Sequence, residues 1–165
     1  GKPGYFKVEI DEIKTPIFLE DKKKLFCIIY TMNILKILTV ENQKNVAIYD
    51  LIENFFEILN NDDLNWIKNF ILWELNFYKC IGYDIDFKNY VISTQINGVN
   101  KFVVENSQKI IPNFLIEKKS IPKNFDEVLK GFNIVSDFLD KSILKPNNLT
   151  YPISRLEFLN LIKWI

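Results

Sequence analysis

The chain has 165 residues, of which 48% are hydrophobic, and its 21 basic and 21 acidic side chains give a net charge of zero. This length and apolar content suffice for one ordinary domain, and no uninterrupted apolar run reaches the ~18 residues that a membrane-spanning helix needs. There is no histidine and there are only two cysteines, which excludes Ser-His and Cys-His nucleophiles and the usual four-ligand zinc site. We therefore expect a soluble protein that lacks the most familiar enzyme mechanisms and binds no zinc.

The amino-terminal part of the sequence predicts one short strand followed by two helices. Gly4–Ile10 alternates large and charged residues at a period of two, as a strand does, but a single strand is not stable without partners. Thr15 and Pro16 are typical of a helix start, and Ile17–Leu38 then has an apolar face along its length. A second amphipathic helix is predicted at about residues 46–59.

Residues 64–82 form the most apolar segment of the chain and predict its central helix. Its aromatic residues recur at steps of four, three and four: Trp66, Phe70, Trp73 and Phe77. Neighbouring apolar positions widen this stripe over most of the helix surface, so other elements must pack on several sides. Gly82 provides the left-handed residue that commonly ends a helix. The pattern predicts a mainly α fold, a helical bundle around a buried central helix.

Glu74 interrupts this apolar segment, and a carboxylate in a packed apolar environment must be paired, hydrogen-bonded or neutralised. Arg155, the only arginine of the chain, is the candidate partner because a planar guanidinium binds a carboxylate through two parallel hydrogen bonds. An enzymatic alternative assigns Glu74 as a buried general acid or base, although no second catalytic group lies at a recognisable spacing. Cys27 and Cys80 fall in apolar helical runs and are predicted to be core residues without a disulfide.

After the central helix the periodicity changes to two. Tyr90–Ile96 and Lys101–Val104 are rich in β-branched and aromatic residues, and Asn97-Gly98-Val99-Asn100 between them is a hairpin turn signal. These features predict a small two-stranded hairpin within residues 90–105.

The remaining sequence predicts two further amphipathic helices, Phe125–Leu144 and Ile153–Ile165. Charge is spread unevenly, since residues 64–123 contain eight basic and five acidic side chains. This excess is too small to indicate nucleic-acid binding by itself, and a solvated surface explains it equally well.

Five short motifs occur in the order and at the spacing found in one protein family: Trp73–Leu75, Ile81–Tyr83, Asp86–Phe87, Ile111–Leu115 and Tyr151–Arg155. Through them the chain resembles the helical domain of the bacterial RecO recombination mediators. The resemblance implies that residues 1–13 are the end of a missing amino-terminal OB-like barrel and that residues 14–165 are the RecO-like helical domain. Many members have a cysteine zinc knuckle, and its first two cysteine positions fall on Tyr90 and Ser93, which implies a zinc-free knuckle.

The resemblance also implies a function in recombinational DNA repair. Such a mediator binds single-stranded and duplex DNA, anneals complementary strands, engages RecR and the acidic carboxy-terminal tail of single-strand-binding protein, and thereby helps RecA to load. It would be a cytoplasmic, nucleoid-associated protein that is not an enzyme, binds no metal or other cofactor, and acts by binding alone with no membrane contact. The alternative is a generic all-helical protein–protein interaction module whose likeness to RecO is accidental.

A set of side chains around the central helix is the candidate site for DNA and the tail peptide. Basic side chains would contact phosphates and carboxylates, and an aromatic ring would form an apolar wall. The predicted binding residues are Trp66, Lys68, Lys79, Lys88 and Arg155. The predicted structural residues of this region are Glu74, Gly82 and Tyr83.

Overall fold

The computed structural model describes residues 18–39, 46–61, 65–105 and 109–163. These residues form a mainly α-helical bundle with a small antiparallel sheet, as the sequence predicts. The helices are α1 (Lys22–Leu38), α2 (Val46–Asn60), α3 (Trp66–Cys80), α4 (Asn113–Ile116), α5 (Phe125–Phe138) and α6 (Ile153–Ile162). The strands are β1 (Val91–Ile96), β2 (Val99–Val104) and β3 (Ile110–Ile111). Within the described ranges, no helix has the length and hydropathy required to cross a membrane.

The predicted central helix is confirmed as α3, which packs against helices on different sides. On one side the Trp73 ring lies between those of Phe70 and Phe77, nearly parallel to both, and its Nε1 donates a hydrogen bond of 2.7 Å to the carbonyl of Leu51 in α2. On another side Tyr78 contacts Phe138 of α5, with ring centroids 6.2 Å apart. Stacked aromatic rings of this kind contribute most of the apolar area that holds such a core together.

Helix α1 begins later than the sequence predicts. Asp21 is its N-cap, and the side chain accepts hydrogen bonds from the backbone N–H groups of Lys23 (3.0 Å) and Lys24 (3.1 Å). These bonds satisfy donors that the first helical turn leaves unpaired, so the chain from Phe18 to Glu20 lies before the helix. The expected helix start at Thr15–Pro16 and the strand at Gly4–Ile10 lie outside the described residues.

The end of α3 is formed as the sequence predicts. Gly82 has a φ of +96°, a left-handed value that glycine adopts without a steric penalty. Because the chain reverses there, the backbone N–H of Tyr83 returns to the carbonyl of Tyr78 at 2.8 Å. The Tyr83 hydroxyl accepts a hydrogen bond of 2.8 Å from the side-chain amide of Asn147, which ties this loop to the segment after α5.

The predicted hairpin is present, and a third strand extends it. Asn97 and Gly98 have positive φ values of 55° and 75°, as a two-residue hairpin turn requires. Strand β3, which pairs antiparallel with β2 at Phe102↔Ile111, was not predicted. A two-residue strand has no periodicity to detect, and the pairing that defines it comes from another part of the chain.

Helix α5 continues beyond its regular part. A π-helical segment spans Leu139–Leu144 and a 3-10 turn spans Lys145–Asn147, so the predicted helix at Phe125–Leu144 is confirmed in extent. The wider π turn brings Asp140 and Lys145 together in an ion pair of 2.6 Å. Pro146 lacks the N–H that would bond to the carbonyl of Ser142, so a regular α-helix does not continue past this point.

Candidate binding groove and buried polar cluster

The predicted pairing of Glu74 and Arg155 is confirmed. Arg155 Nη1 donates to Glu74 Oε1, and Arg155 Nη2 donates to Glu74 Oε2 at 3.2 Å, so the two groups form the expected bidentate pair. Both residues are 0% exposed. The ion pair connects α3 to α6 in the centre of the bundle.

Three further side chains complete the bonding of this pair. The hydroxyls of Tyr30 and Tyr78 donate to Glu74 Oε1 at 2.5 Å and 2.9 Å. Arg155 Nε donates to Ser136 Oγ at 3.0 Å. We call Tyr30, Glu74, Tyr78, Ser136 and Arg155 the buried polar cluster. Because its members come from α1, α3, α5 and α6, it joins four helices at one point.

Burial and charge act together on the titration of this cluster. Burial raises the pKa of Tyr30 and Tyr78 well above the ordinary value of 10.0; the Arg155 guanidinium lowers it and the Glu74 carboxylate raises it, and the effect of burial is the largest. For Arg155, burial disfavours the charged form and lowers the pKa. Attraction to the Glu74 carboxylate acts in the opposite direction, and the pKa is raised overall. The guanidinium also lies over the rings of Tyr30 and Phe132, 4.8 Å and 4.2 Å from their centroids. Both tyrosines therefore remain neutral hydroxyl donors to Glu74.

This geometry indicates a structural role for Glu74. Its carboxylate is bonded to three side chains, and the residue has no exposed surface to meet a substrate. A general acid or base must reach a substrate proton at hydrogen-bond distance. The structure therefore gives no support to the enzymatic alternative at this residue.

The predicted binding residues do not come together. Arg155 has no exposed surface and Lys68 is 7% exposed, so neither side chain is presented at the surface, and a role for them in binding DNA or a peptide stays a prediction. Arg155 on α6 and Lys68 on α3 both face the interior of the bundle. The periodicity of a nearly all-apolar helix does not show which way a polar side chain faces. Trp66 is half-buried, with its ring 6.1 Å from that of Phe158.

The two other predicted lysines are on the surface. Lys79 is exposed and forms an ion pair of 3.0 Å with Asp84, and Lys88 is exposed in the 3-10 turn Phe87–Tyr90. A role for them in DNA contact stays a prediction. Cys80 is exposed as well, whereas Cys27 is buried, so the prediction of a core position is wrong for Cys80.

A groove of about 460 Å³ lies between the sheet and α5. We call it the sheet–α5 groove. Its apolar lining consists of Val99, Ile110, Ile111, Pro112 and Ile134. Its basic residues are Lys101, Lys109, Lys123 and Lys130, and its acidic residues are Glu127 and Asp137. The groove thus combines an apolar floor with a rim on which lysines outnumber carboxylates.

The two carboxylates of the groove have partners within their own helix region. Glu127 accepts a hydrogen bond of 2.8 Å from the backbone N–H of Lys123, and Asp137 pairs with Lys141 at 3.4 Å. On the same helix Lys130 pairs with Asp126 at 2.8 Å. Lys130 and Asp137 are thus both in ion pairs, and the four lysines that line the groove outnumber its two carboxylates.

The sequence did not predict this groove, although the residue spacing of its α5 wall is visible in the sequence. Lys123, Lys130, Ile134 and Asp137 are spaced by seven, four and three, the spacing of one helix face. The opposite wall could not be found in this way because it depends on how β2 and β3 pack beside α5. The described residues contain no group of three or more His, Cys, Asp or Glu side chains placed to bind a metal.

Comparison with known proteins identifies the family. The sequence matches the family model for the C-terminal domain of recombination protein O over residues 19–115, more than half of the chain. The chain belongs to this family. The RecO match covers α1, α2, α3, the three strands and the start of α4, whereas α5 lies beyond the matched residues.

Two curated relatives agree with this assignment. The chain is 26% identical over 90 residues to the DNA repair protein RecO of Ehrlichia chaffeensis, which covers 54% of the chain and 37% of that protein. It is 22% identical over 137 residues to the DNA repair protein RecO of Bartonella tribocorum, which covers 74% of the chain and 55% of that protein. The chain thus matches only part of the length of these RecO proteins. No solved structure gives a significant match.

Proposed function

We propose that this chain is the helical domain, residues 14–165, of a cytoplasmic, nucleoid-associated mediator of recombinational DNA repair that acts by binding alone. In this proposal the whole protein binds single-stranded and duplex DNA, anneals complementary strands and engages RecR and single-strand-binding protein, so that RecA can load. Membership of the RecO family supports it, as do the names of two relatives, each called a DNA repair protein.

The sheet–α5 groove is the observation that supports our proposal for what this domain binds. An acidic peptide that ends in a large apolar side chain needs an apolar pocket for that side chain and cations for its carboxylates. The groove offers Ile111, which is 4% exposed, and half-buried Ile134 as apolar contacts, with Lys101 on the sheet side. We therefore assign the capture of the phenylalanine-ended tail of single-strand-binding protein to this groove instead of to the region of Trp66, Lys68 and Lys79.

Contact with DNA depends on exposed basic side chains instead of on an apolar groove. Phosphates are bound by exposed lysines, and each contact releases a counterion, so binding falls steeply as salt rises. The lysines that line the groove and are exposed are Lys109, Lys123 and Lys130. In the proposal, this basic side of the molecule faces DNA close to the captured tail.

Binding of a fluorescent acidic peptide that ends in phenylalanine tests the groove. We expect saturable binding that weakens when salt rises from about 0.05 M to about 0.3 M, because screening weakens exposed charge pairs. Ile134→Asp should abolish binding because it places a carboxylate on the apolar floor. Lys101→Gln should weaken it by about fivefold, or about 1 kcal/mol.

Lys79→Gln is the matched control, since it removes the same charge from a lysine outside the groove and should leave the affinity unchanged. Circular dichroism would show that all variants are folded. No saturable binding by the folded wild-type protein would contradict the assignment of the tail to this domain. Equal binding of a scrambled peptide of the same composition would favour the generic interaction module.

A further inference from the structure

Strand β1 is an open edge of the sheet in the described part of the chain, where the strand order is β1-β2-β3. The hydrogen-bond pattern fixes which of its backbone groups face outward. The backbone N–H of Glu105 donates to the carbonyl of Tyr90 at 3.1 Å, and hydrogen-bonded pairs alternate along an antiparallel ladder. The even-numbered residues of β1 therefore bond to β2, while Val91, Ser93 and Gln95 direct N–H and C=O groups away from it.

This edge lacks the features that protect exposed strands. Natural edge strands are commonly blocked by a charged side chain, a proline or a bulge, but the sequence of β1, VISTQI, contains no charge and no proline. Its registered pairing with β2 is continuous from Val91↔Val104 to Ile96↔Val99. Large apolar side chains are exposed beside it, with Tyr90 at 61% and Ile92 at 53%. The opposite edge differs, because β3 has two residues and is followed directly by Pro112.

We propose that β1 pairs antiparallel with β1 of a second copy of this chain, about a two-fold axis at Ser93. In this register Ser93 lies opposite its own counterpart and Val91 lies opposite Gln95 of the other copy. These are the residues with outward-facing backbone groups, so every outward donor and acceptor in the register finds a partner. The two three-stranded sheets become one continuous six-stranded sheet.

The chemistry of β1 favours a copy of itself as the occupant. Because the strand is uncharged, two copies meet without the repulsion that like charges directly opposite one another would cause. The same register places Ile92 beside Thr94 of the second copy, and Tyr90 beside Ile96. Aromatic and β-branched residues form favourable cross-strand pairs of this kind. A two-fold contact also closes on itself, so the assembly stops at two chains.

The contact is small, because a strong interface buries about 1,200–2,000 Å² and edge pairing of one short strand provides less. The dimer is therefore concentration-dependent. Sedimentation equilibrium over a range of concentrations tests it, and the apparent mass of the wild-type chain should rise from 19.6 kDa towards twice that value.

Two variants at the axis should keep the protein monomeric. Ser93→Lys places like charges opposite one another, and Ser93→Pro removes an outward-facing N–H without removing a bond to β2. Ser142→Lys is the matched control, since it makes the same change at an exposed serine of the π-helical segment and should dimerise as the wild type does. A wild-type chain that stays at 19.6 kDa at every concentration, or a folded Ser93→Lys variant that dimerises equally well, would overturn the proposal.

Backbone amide exchange provides a second readout that does not depend on variants. The amides of Val91, Ser93 and Gln95 should exchange more slowly at high than at low protein concentration. Protection that is independent of concentration would show that another segment of the same chain covers the edge, and it would overturn the two-copy proposal. Fast exchange at all concentrations would overturn it as well.

Discussion

Arg155 and Glu74, which are 81 positions apart in the sequence, form a bidentate ion pair in the centre of the bundle. Both charges are removed from water, so their mutual attraction must offset a large desolvation cost. Hydrogen bonds from Tyr30, from Tyr78 and to Ser136 satisfy the remaining polar atoms. The pair therefore specifies how α3 and α6 meet, with α1 and α5 bound to the same cluster.

Removal of one partner of this pair should strongly destabilise the fold. We expect Arg155→Met to lower the free energy of unfolding by about 3–5 kcal/mol, because it leaves the Glu74 carboxylate buried without its cation. Urea unfolding followed by circular dichroism measures this change. The double variant Glu74→Leu/Arg155→Met should lose much less than the sum of the single variants, since no unpaired charge remains. Additive losses would show that the two groups do not act as a pair.

The tyrosines of the cluster predict a loss of stability at alkaline pH. Burial raises the pKa of Tyr30 and Tyr78 above 10.0 in the folded state. A group whose pKa is higher when folded binds its proton more tightly there, so its contribution is complete below about pH 10 and is lost as the pH rises above it. The free energy of unfolding should therefore hold up to about pH 10 and fall as the pH rises further.

A variant separates this effect from general alkaline damage. Tyr78→Phe should reduce the fall in the free energy of unfolding above about pH 10, because one of the two tyrosines with a raised pKa is gone. Tyr49→Phe is the control, since Tyr49 is 65% exposed and lies outside the cluster. An equal slope in the wild type and in Tyr78→Phe would contradict the assignment.

The two cysteines should differ in their reaction with thiol reagents. Burial and the nearby Glu74 carboxylate raise the pKa of Cys27 well above its ordinary value, and the thiolate is the reactive form. Cys80 is exposed. Mass spectrometry after treatment of the folded chain should show modification at Cys80 alone, and the unfolded chain should react at both residues. Rapid modification of Cys27 in the folded chain would show that α1 is not packed as described.

The knuckle region should be independent of zinc. Tyr90 and Ser93 occupy the positions at which many RecO proteins are expected to have cysteines, and Val91, Phe102 and Ile111 of the sheet pack against the core. A metal chelator should therefore change the melting temperature by less than about 1 °C, and added zinc should not raise it. A clear fall in melting temperature with chelator would indicate a metal site that the described residues do not show.

The sequence predicted those parts of the fold that depend on local patterns. The central helix, the helix at Val46–Asn60, the Asn97-Gly98 turn and the left-handed Gly82 all follow from periodicity or from single-residue backbone preferences. The pairing of Glu74 with Arg155 was also predicted, because the one carboxylate of the central helix and the only arginine of the chain leave few choices.

Properties that depend on tertiary packing were not predicted. An almost wholly apolar helix does not show which of its few polar residues face inward, so the burial of Lys68 was missed. The two-residue strand β3 and the sheet–α5 groove both arise from contacts between distant segments. Lys101 and Lys130 lie 29 positions apart and come together only when the sheet packs beside α5.

The most direct test of the central proposal is to map where the acidic, phenylalanine-ended peptide binds, by following isoleucine methyl resonances during a titration. The account predicts that the methyl groups of Ile110, Ile111 and Ile134, which line the sheet–α5 groove, shift with the same saturation curve. Ile29 on α1 and Ile153 on α6, which are exposed outside the groove, should not move. Shifts confined to Ile29 and Ile153, with the groove residues unchanged, would contradict it.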